Sequence, residues 1–146
     1  MREILFTGKK KDSGEWVCGD LIQLHEEASY WYILPEGISS EMYEDEPYHF
    51  RQNDVMCSVA LAKIIPETVG QYTGLPDKNG TKIFEGNILK VWYSSVENVG
   101  FFENLEVYYD EFYAKYRAGY RDLYEVAENS EVIGNIHDNP ELLLKK

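Results

Sequence analysis

The constraint that most limits the fold is a spaced set of glycines that the chain carries twice. Phe6-Thr7-Gly8, then Gly14, then Gly19-Asp20-Leu21-Ile22, is echoed by Tyr72-Thr73-Gly74, then Gly80, then Gly86-Asn87-Ile88-Leu89. The first two glycines of each copy stand six residues apart, and the second copy adds one residue before its third. Polar turn pairs, Ser13-Gly14 and Asn79-Gly80, sit between apolar stretches. Asn-Gly in that setting signals a hairpin, because both residues tolerate positive φ. Two related β-hairpin units are therefore expected, and a mainly β chain with them.

At 146 residues the chain is expected to form one domain with a core of its own. Twelve tyrosines and three tryptophans favour strands over helices. No apolar run nears the roughly 20 residues that cross a bilayer as a helix. The opening Met1-Arg2-Glu3-Ile4-Leu5-Phe6 turns polar too soon for a signal peptide, so the cytoplasm is the expected compartment. Cys18 and Cys57 lie outside any CxxC or metal-ligand spacing, and two reduced thiols are the reading that follows. The net charge of −12 is shared evenly: residues 1–65 carry 12 acids and 6 bases, residues 66–146 carry 14 and 8. Dispersed acidity of this kind opposes duplex binding, which is driven by counterion release.

Along the chain, residues 3–8 read as a first strand, 9–14 as a polar turn and 15–24 as the return strand. Gly19 inside that strand marks a bulge or a close backbone approach. Residues 30–34 form an aromatic strand. These elements make an N-terminal hairpin subdomain over about 1–34. Residues 35–54, with Glu41, Glu44, Asp45, Glu46 and Pro47, read as a variable surface loop. A barrel-like part then occupies about 55–139. Residues 55–65 suit a buried helix or strand by periodicity, and their β-branched content with Pro66 behind favours a strand. Residues 82–92 are two apolar segments hinged at Gly86, where Asn87 can bond nearby backbone N–H groups. Over 105–126 a helical i+4 stripe (Tyr108, Phe112, Tyr116, Tyr120, Tyr124) competes with strand-like alternation, and two strands are preferred. Residues 131–136 read as the last strand. Asn139-Pro140 then opens a short C-terminal helical turn.

The run Pro66-Glu67-Thr68-Val69-Gly70-Gln71-Tyr72-Thr73-Gly74-Leu75, Asp77-Lys78-Asn79-Gly80 and Ile83-Phe84-Glu85-Gly86-Asn87-Ile88 strongly resembles the YopX family of phage and prophage proteins. So do the close, Glu131-Val132-Ile133-Gly134-Asn135-Ile136-His137-Asp138-Asn139-Pro140-Glu141-Leu142, and the opening Trp16-Val17-Cys18-Gly19-Asp20. The match covers nearly the whole chain. Two positions depart from it: Asn87 where the family usually has Asp, and Pro76 where it usually has Lys. An amide at 87 keeps the turn but loses a charge. The resemblance implies a mainly β domain with SH3-like barrel geometry, encoded by a phage or prophage and hence at work in the cytoplasm of a bacterial host cell. It carries over no catalytic residue.

The chemistry-bearing residues are weighed against plainer roles. Glu44-Asp45-Glu46 and Asp110-Glu111 are adjacent in sequence, so on a strand their side chains diverge, as solvated surface charge does. His25, His49 and His137 show no metal-ligand spacing. Gly70, Gly74 and Gly80 lack the lysine and the strand–helix context of a phosphate loop. No catalytic, cofactor-binding or metal-ligating residue is assigned, no cofactor is expected, and the chain is read as a non-enzyme. The tyrosines at 108, 109, 113, 116, 120 and 124 exceed what a two-layer β domain can bury. Lys115, Arg117 and Arg121 are their local bases, against Asp110, Glu111, Asp122 and Glu125. A protein partner, from host or phage, or a second copy of the chain is the expected contact. Two other readings stay open. One is an acidic mimic of DNA that occupies a host nucleic-acid-binding or defence protein. The other is a small nucleic-acid-binding barrel, which the charge disfavours.

Overall fold

In the computed structural model, residues 1–25, 29–35, 47–52, 55–94 and 100–144 are described, with 24–25, 29–30, 47–52 and 55–60 as backbone only. The chain is mainly β and forms two compact units, Ile4–Gly70 and Gln71–Lys146, the latter including Met1–Glu3. Residues 55–70, grouped with the C-terminal part from sequence, thus fall in the first unit.

In the first unit, β1 (Phe6–Lys9) and β2 (Trp16–His25) form an antiparallel hairpin, Phe6 opposite Gly19 and Lys9 opposite Trp16. Strand β3 (Ser29–Pro35) pairs along β2, and the short β6 (Ala62–Lys63) pairs with β3. The same returning segment also reaches the far end of β1. Lys11 N–H donates to the Lys63 carbonyl at 2.9 Å, and Ile65 N–H donates to that of Lys9 at 3.0 Å. Inside lie Ile33, Ala62 and Ile64, with Phe6, Val17, Leu21 and Val69 against them. Burial of each large aliphatic there contributes on the order of 1.5–3 kcal/mol. Thr68 secures the exit: its hydroxyl donates to the Ile65 carbonyl at 2.6 Å and accepts the Lys9 N–H at 2.8 Å.

Pro47–Gln52 is a strand, β4, where the sequence suggested an irregular loop over 35–54. It pairs with β5 (Val55–Ala60) from Pro47 opposite Ala60 to Gln52 opposite Val55. Proline is tolerated at a strand's first residue, and Tyr48-His49-Phe50 favours extended backbone once a partner is present. The acidic run Glu44-Asp45-Glu46 lies outside the described residues.

In the second unit, β7 (Gly70–Pro76) and β8 (Lys82–Phe84) form the other hairpin. A five-stranded antiparallel sheet follows, made of β9 (Asn87–Ser94), β10 (Gly100–Asp110), β11 (Lys115–Ala118), β12 (Arg121–Asp122) and β13 (Ser130–Asn135). Its strand order is β12-β11-β10-β9-β13. Residues 105–126 are thus chiefly strand, with one helical turn, α1 (Leu123–Val126), whose Leu123 and Val126 face inward. Ile83, Leu89, Val91, Leu105, Val107, Leu123 and Val126 make the core of this unit. A C-terminal 3-10 turn, Pro140–Leu143, stands where Asn139-Pro140 predicted one.

The two hairpins match as hairpins, but their glycines do different work. Gly74 has φ of 88°, whereas Gly8 is needed for space, since a Cβ there would meet Ile64 Cγ2 at 2.5 Å. Gly86 turns the chain between β8 and β9, with the Asn87 side-chain oxygen accepting the Phe84 N–H at 2.8 Å. Its counterpart Gly19 sits inside an unbroken β2, where a side chain would overlap the Leu34 carbonyl. That is the close backbone approach its position suggested.

Candidate functional site: an aromatic and cationic sheet

Strand alternation in the second unit splits β9 and β10 into two faces. Leu89, Val91, Leu105 and Val107 point into the core. Lys90, Trp92, Phe102, Asn104 and Tyr108 therefore take the opposite, outer face, with Phe102 directly across from Trp92. The rings of Trp92 and Phe102 lie 5.3 Å apart, and Lys90 Nζ stands 4.7 Å from one centroid and 4.1 Å from the other. Half of Phe102 and 42% of Trp92 stay exposed, so this pair is open surface rather than core. On the core-side face, past the core, Phe101 lies 5.0 Å from Tyr93, and Arg121 covers Tyr93 at 4.5 Å. Burial raises the Tyr93 phenol above its usual pKa; Arg121 opposes that and Glu103 adds to it.

Five of the six tyrosines singled out from sequence are exposed: 108, 109, 113, 120 and 124. Tyr116 instead packs against the core edge-on to Tyr109, at 5.2 Å, and burial with nearby Glu85 raises its pKa. The tyrosines do not form one continuous stripe, since Tyr108 and Tyr109 point to opposite faces of β10. Trp92, Phe101 and Phe102 were not singled out. Their signal was present in the alternation Leu89-Lys90-Val91-Trp92, which puts a tryptophan on the polar side of a half-buried strand.

Charges beside the rings are largely balanced. Lys115 Nζ meets Asp122 at 2.8 Å, and Arg117 lies between Asp122 at 3.4 Å and Asp110 at 3.7 Å. Asp110 also accepts the N–H groups of Phe112 and Tyr113, which closes the turn after β10. That structural use accounts for Asp110, while Glu111 is exposed. Tyr113, Lys115, Arg117 and Arg121 help line a shallow polar hollow of about 520 Å³.

The glycine pattern of the β7–β8 hairpin closes on Asp77. This buried carboxylate accepts N–H bonds from Asn79 at 2.8 Å and Thr81 at 2.9 Å through one oxygen, and from Val132 at 2.9 Å through the other. Burial alone would raise its pKa, but the three N–H donors, with Lys78 nearby, hold it below the ordinary value. Two of the donors in that turn are thus committed to Asp77. His137 donates its backbone N–H to Asn135 Oδ1 at 2.9 Å, while the side chains of His25, His49 and Cys57 lie outside the described residues. Among the described residues no group of three or more His, Cys, Asp or Glu is arranged to hold a metal. No helix among them is long and apolar enough to cross a membrane.

Fold and surface together describe a mainly β protein that exposes an aromatic, charge-balanced sheet. A family profile described as YopX protein matches residues 5–144, and the chain belongs to that family. The crystal structure of protein EF1440 from Enterococcus faecalis is similar to it, with a TM-score of 0.60 and 21% identity. The alignment covers 99% of this chain and 100% of that one. That likeness concerns the fold. No match is found among curated proteins.

Proposed function

We propose that the protein is a non-enzymatic, phage- or prophage-encoded accessory module that acts through protein–protein contact, with the aromatic sheet of the second unit as its contact surface. The observation that carries this reading is the exposed Trp92–Phe102 pair with Lys90 over both rings. Large aromatics that stay half-exposed beside a formed core are costly to leave in water and are the residue types that anchor interfaces. The balanced ion pairs of Lys115 and Arg117 leave few basic groups for phosphate, which favours a protein partner over a nucleic acid. We further read the mainly β fold as including the SH3-like barrel-type element that the family resemblance implies, in the part over about 55–139.

The test is capture from a bacterial lysate by the tagged full chain, beside a Trp92→Ser variant of equal thermal stability. A partner, or a second copy of the chain, retained at high salt and lost with Trp92→Ser is the expected result. Equal capture by both proteins would refute the surface assignment. Release of a nucleic-acid-binding protein by salt alone would favour the acidic-mimic reading instead.

A further inference from the structure

Among the described residues, the edge of β10 that β11 pairs with farther along has no strand partner over residues 100–105. The Glu106 carbonyl accepts the Gly119 N–H at 2.9 Å, and β11 pairs with β10 over Val107–Asp110. In an antiparallel strand main-chain groups alternate sides, so the N–H and C=O of Asn104 and Phe102 aim the same way as those of Glu106. The neighbouring chain has turned off into β12 by then, and no hydrogen bond among the described residues meets those groups on that side. A groove of about 710 Å³ runs along this edge. Phe102, Leu105, Tyr120 and residues 142–144 give it an apolar lining, and Glu103 and Glu141 border it.

Within the groove Asn104 supplies a second, independent sign. Its Nδ2 donates to the Leu142 carbonyl at 2.8 Å, yet its Oδ1 is buried and has no hydrogen-bond partner among the described residues. A buried acceptor of this kind is destabilising until a donor reaches it. Glu103 accepts the Tyr120 hydroxyl at 2.7 Å, which holds a carboxylate at the rim.

We propose that the β10 edge takes an extended segment of a partner protein, paired through its main chain to Phe102 and Asn104, with side chains that alternate apolar and basic. This rests on the interaction reading above and names the mode of contact. Strand addition supplies the missing main-chain bonds, the groove takes the apolar side chains, and Glu103 and Glu141 favour the basic ones. A second copy pairing β10 to β10 would instead bring its own Glu103 into the acidic rim.

The probe is a capped peptide of alternating valine and lysine, titrated into the full chain with backbone amides followed by NMR. On binding, the Phe102 and Asn104 amides are expected to shift and become protected from exchange. The same peptide N-methylated at alternate residues, which cannot pair, should bind at least about tenfold more weakly, from the loss of its main-chain bonds. A glutamate-for-lysine peptide should bind more weakly still. Equal binding of the N-methylated peptide, or unchanged Phe102 and Asn104 amides at saturation, overturns the proposal. So does protection of those amides by raised protein concentration without peptide, which would make a second copy the occupant. If peptide binding fails while capture still depends on Trp92, the edge proposal falls and the interaction reading stands.

Discussion

Asp77 shows how far one side chain can organise a unit. It closes the β7–β8 turn and holds β13 through Val132, so Asp77→Asn should cost about 1–3 kcal/mol at neutral pH. The folded-state pKa is lowered, so its contribution is complete above the unfolded value, near 3.8, and is lost as pH falls through the lower folded value. The stability gap between wild type and variant, from urea unfolding, should narrow on acidification below about pH 4; a gap independent of pH would refute this account. Gly19 and Gly86 make a matched test of two reasons for glycine. Gly86→Ala has room for its Cβ, 3.8 Å from its closest neighbour, and should lose only the 1–2 kcal/mol or so of a strained positive φ. Gly19→Ala must push β2 and β3 apart and should cost about 3 kcal/mol or more. Equal losses would contradict the distinction. Gly19's close approach and the Asn87 turn were legible because each is set by a residue and its immediate neighbours. The reach of Asp77 to Val132 was not, since 55 positions separate them and nothing in the local pattern records the contact.

Elements were legible where alternation and turn chemistry agree, as in β2, β9 and β13. They were obscured where signals overlap. Residues 105–126 hold both an i+4 stripe and an alternation because the chain spends that stretch on the end of β10, a turn, two short strands and the α1 turn. The acids and Pro47 masked β4, which is a strand by virtue of pairing with β5. The turn between β10 and β11 offers a direct test. Ala114 is exposed and holds φ of 52°, the one non-glycine at positive φ among the described residues. Ala114→Gly should therefore stabilise the protein by about 0.5–1 kcal/mol, by relieving strain that exceeds the added chain entropy. A lower melting temperature for that variant would show that the turn is not strained. The outer-face site was half legible: tyrosine excess announced exposed aromatics, but Trp92 and Phe102 acquire their meaning only when β9 and β10 pair.

At the scale of the whole molecule, a net charge of −12 without a matching basic region makes self-repulsion a term in stability. Raising salt from low to about 0.15 M should raise the melting midpoint by about 2–4 °C, as screening weakens that repulsion over distances near the Debye length. A fall would mean that ion pairs such as Lys115–Asp122 outweigh it. The unpaired β10 edge has a consequence for the protein in bulk as well. A strand with open main-chain groups beside Phe101 and Phe102 is also a template for uncontrolled stacking of chains into fibrils. Gly-Phe-Phe-Glu-Asn has one charge, on Glu103, and a lone charge in such a segment is the kind of residue that opposes stacking. Neutralised as Glu103→Gln, the chain should scatter light and bind amyloid dyes at lower concentrations than the parent; equal behaviour of the two would show that the open edge is guarded by something other than this charge.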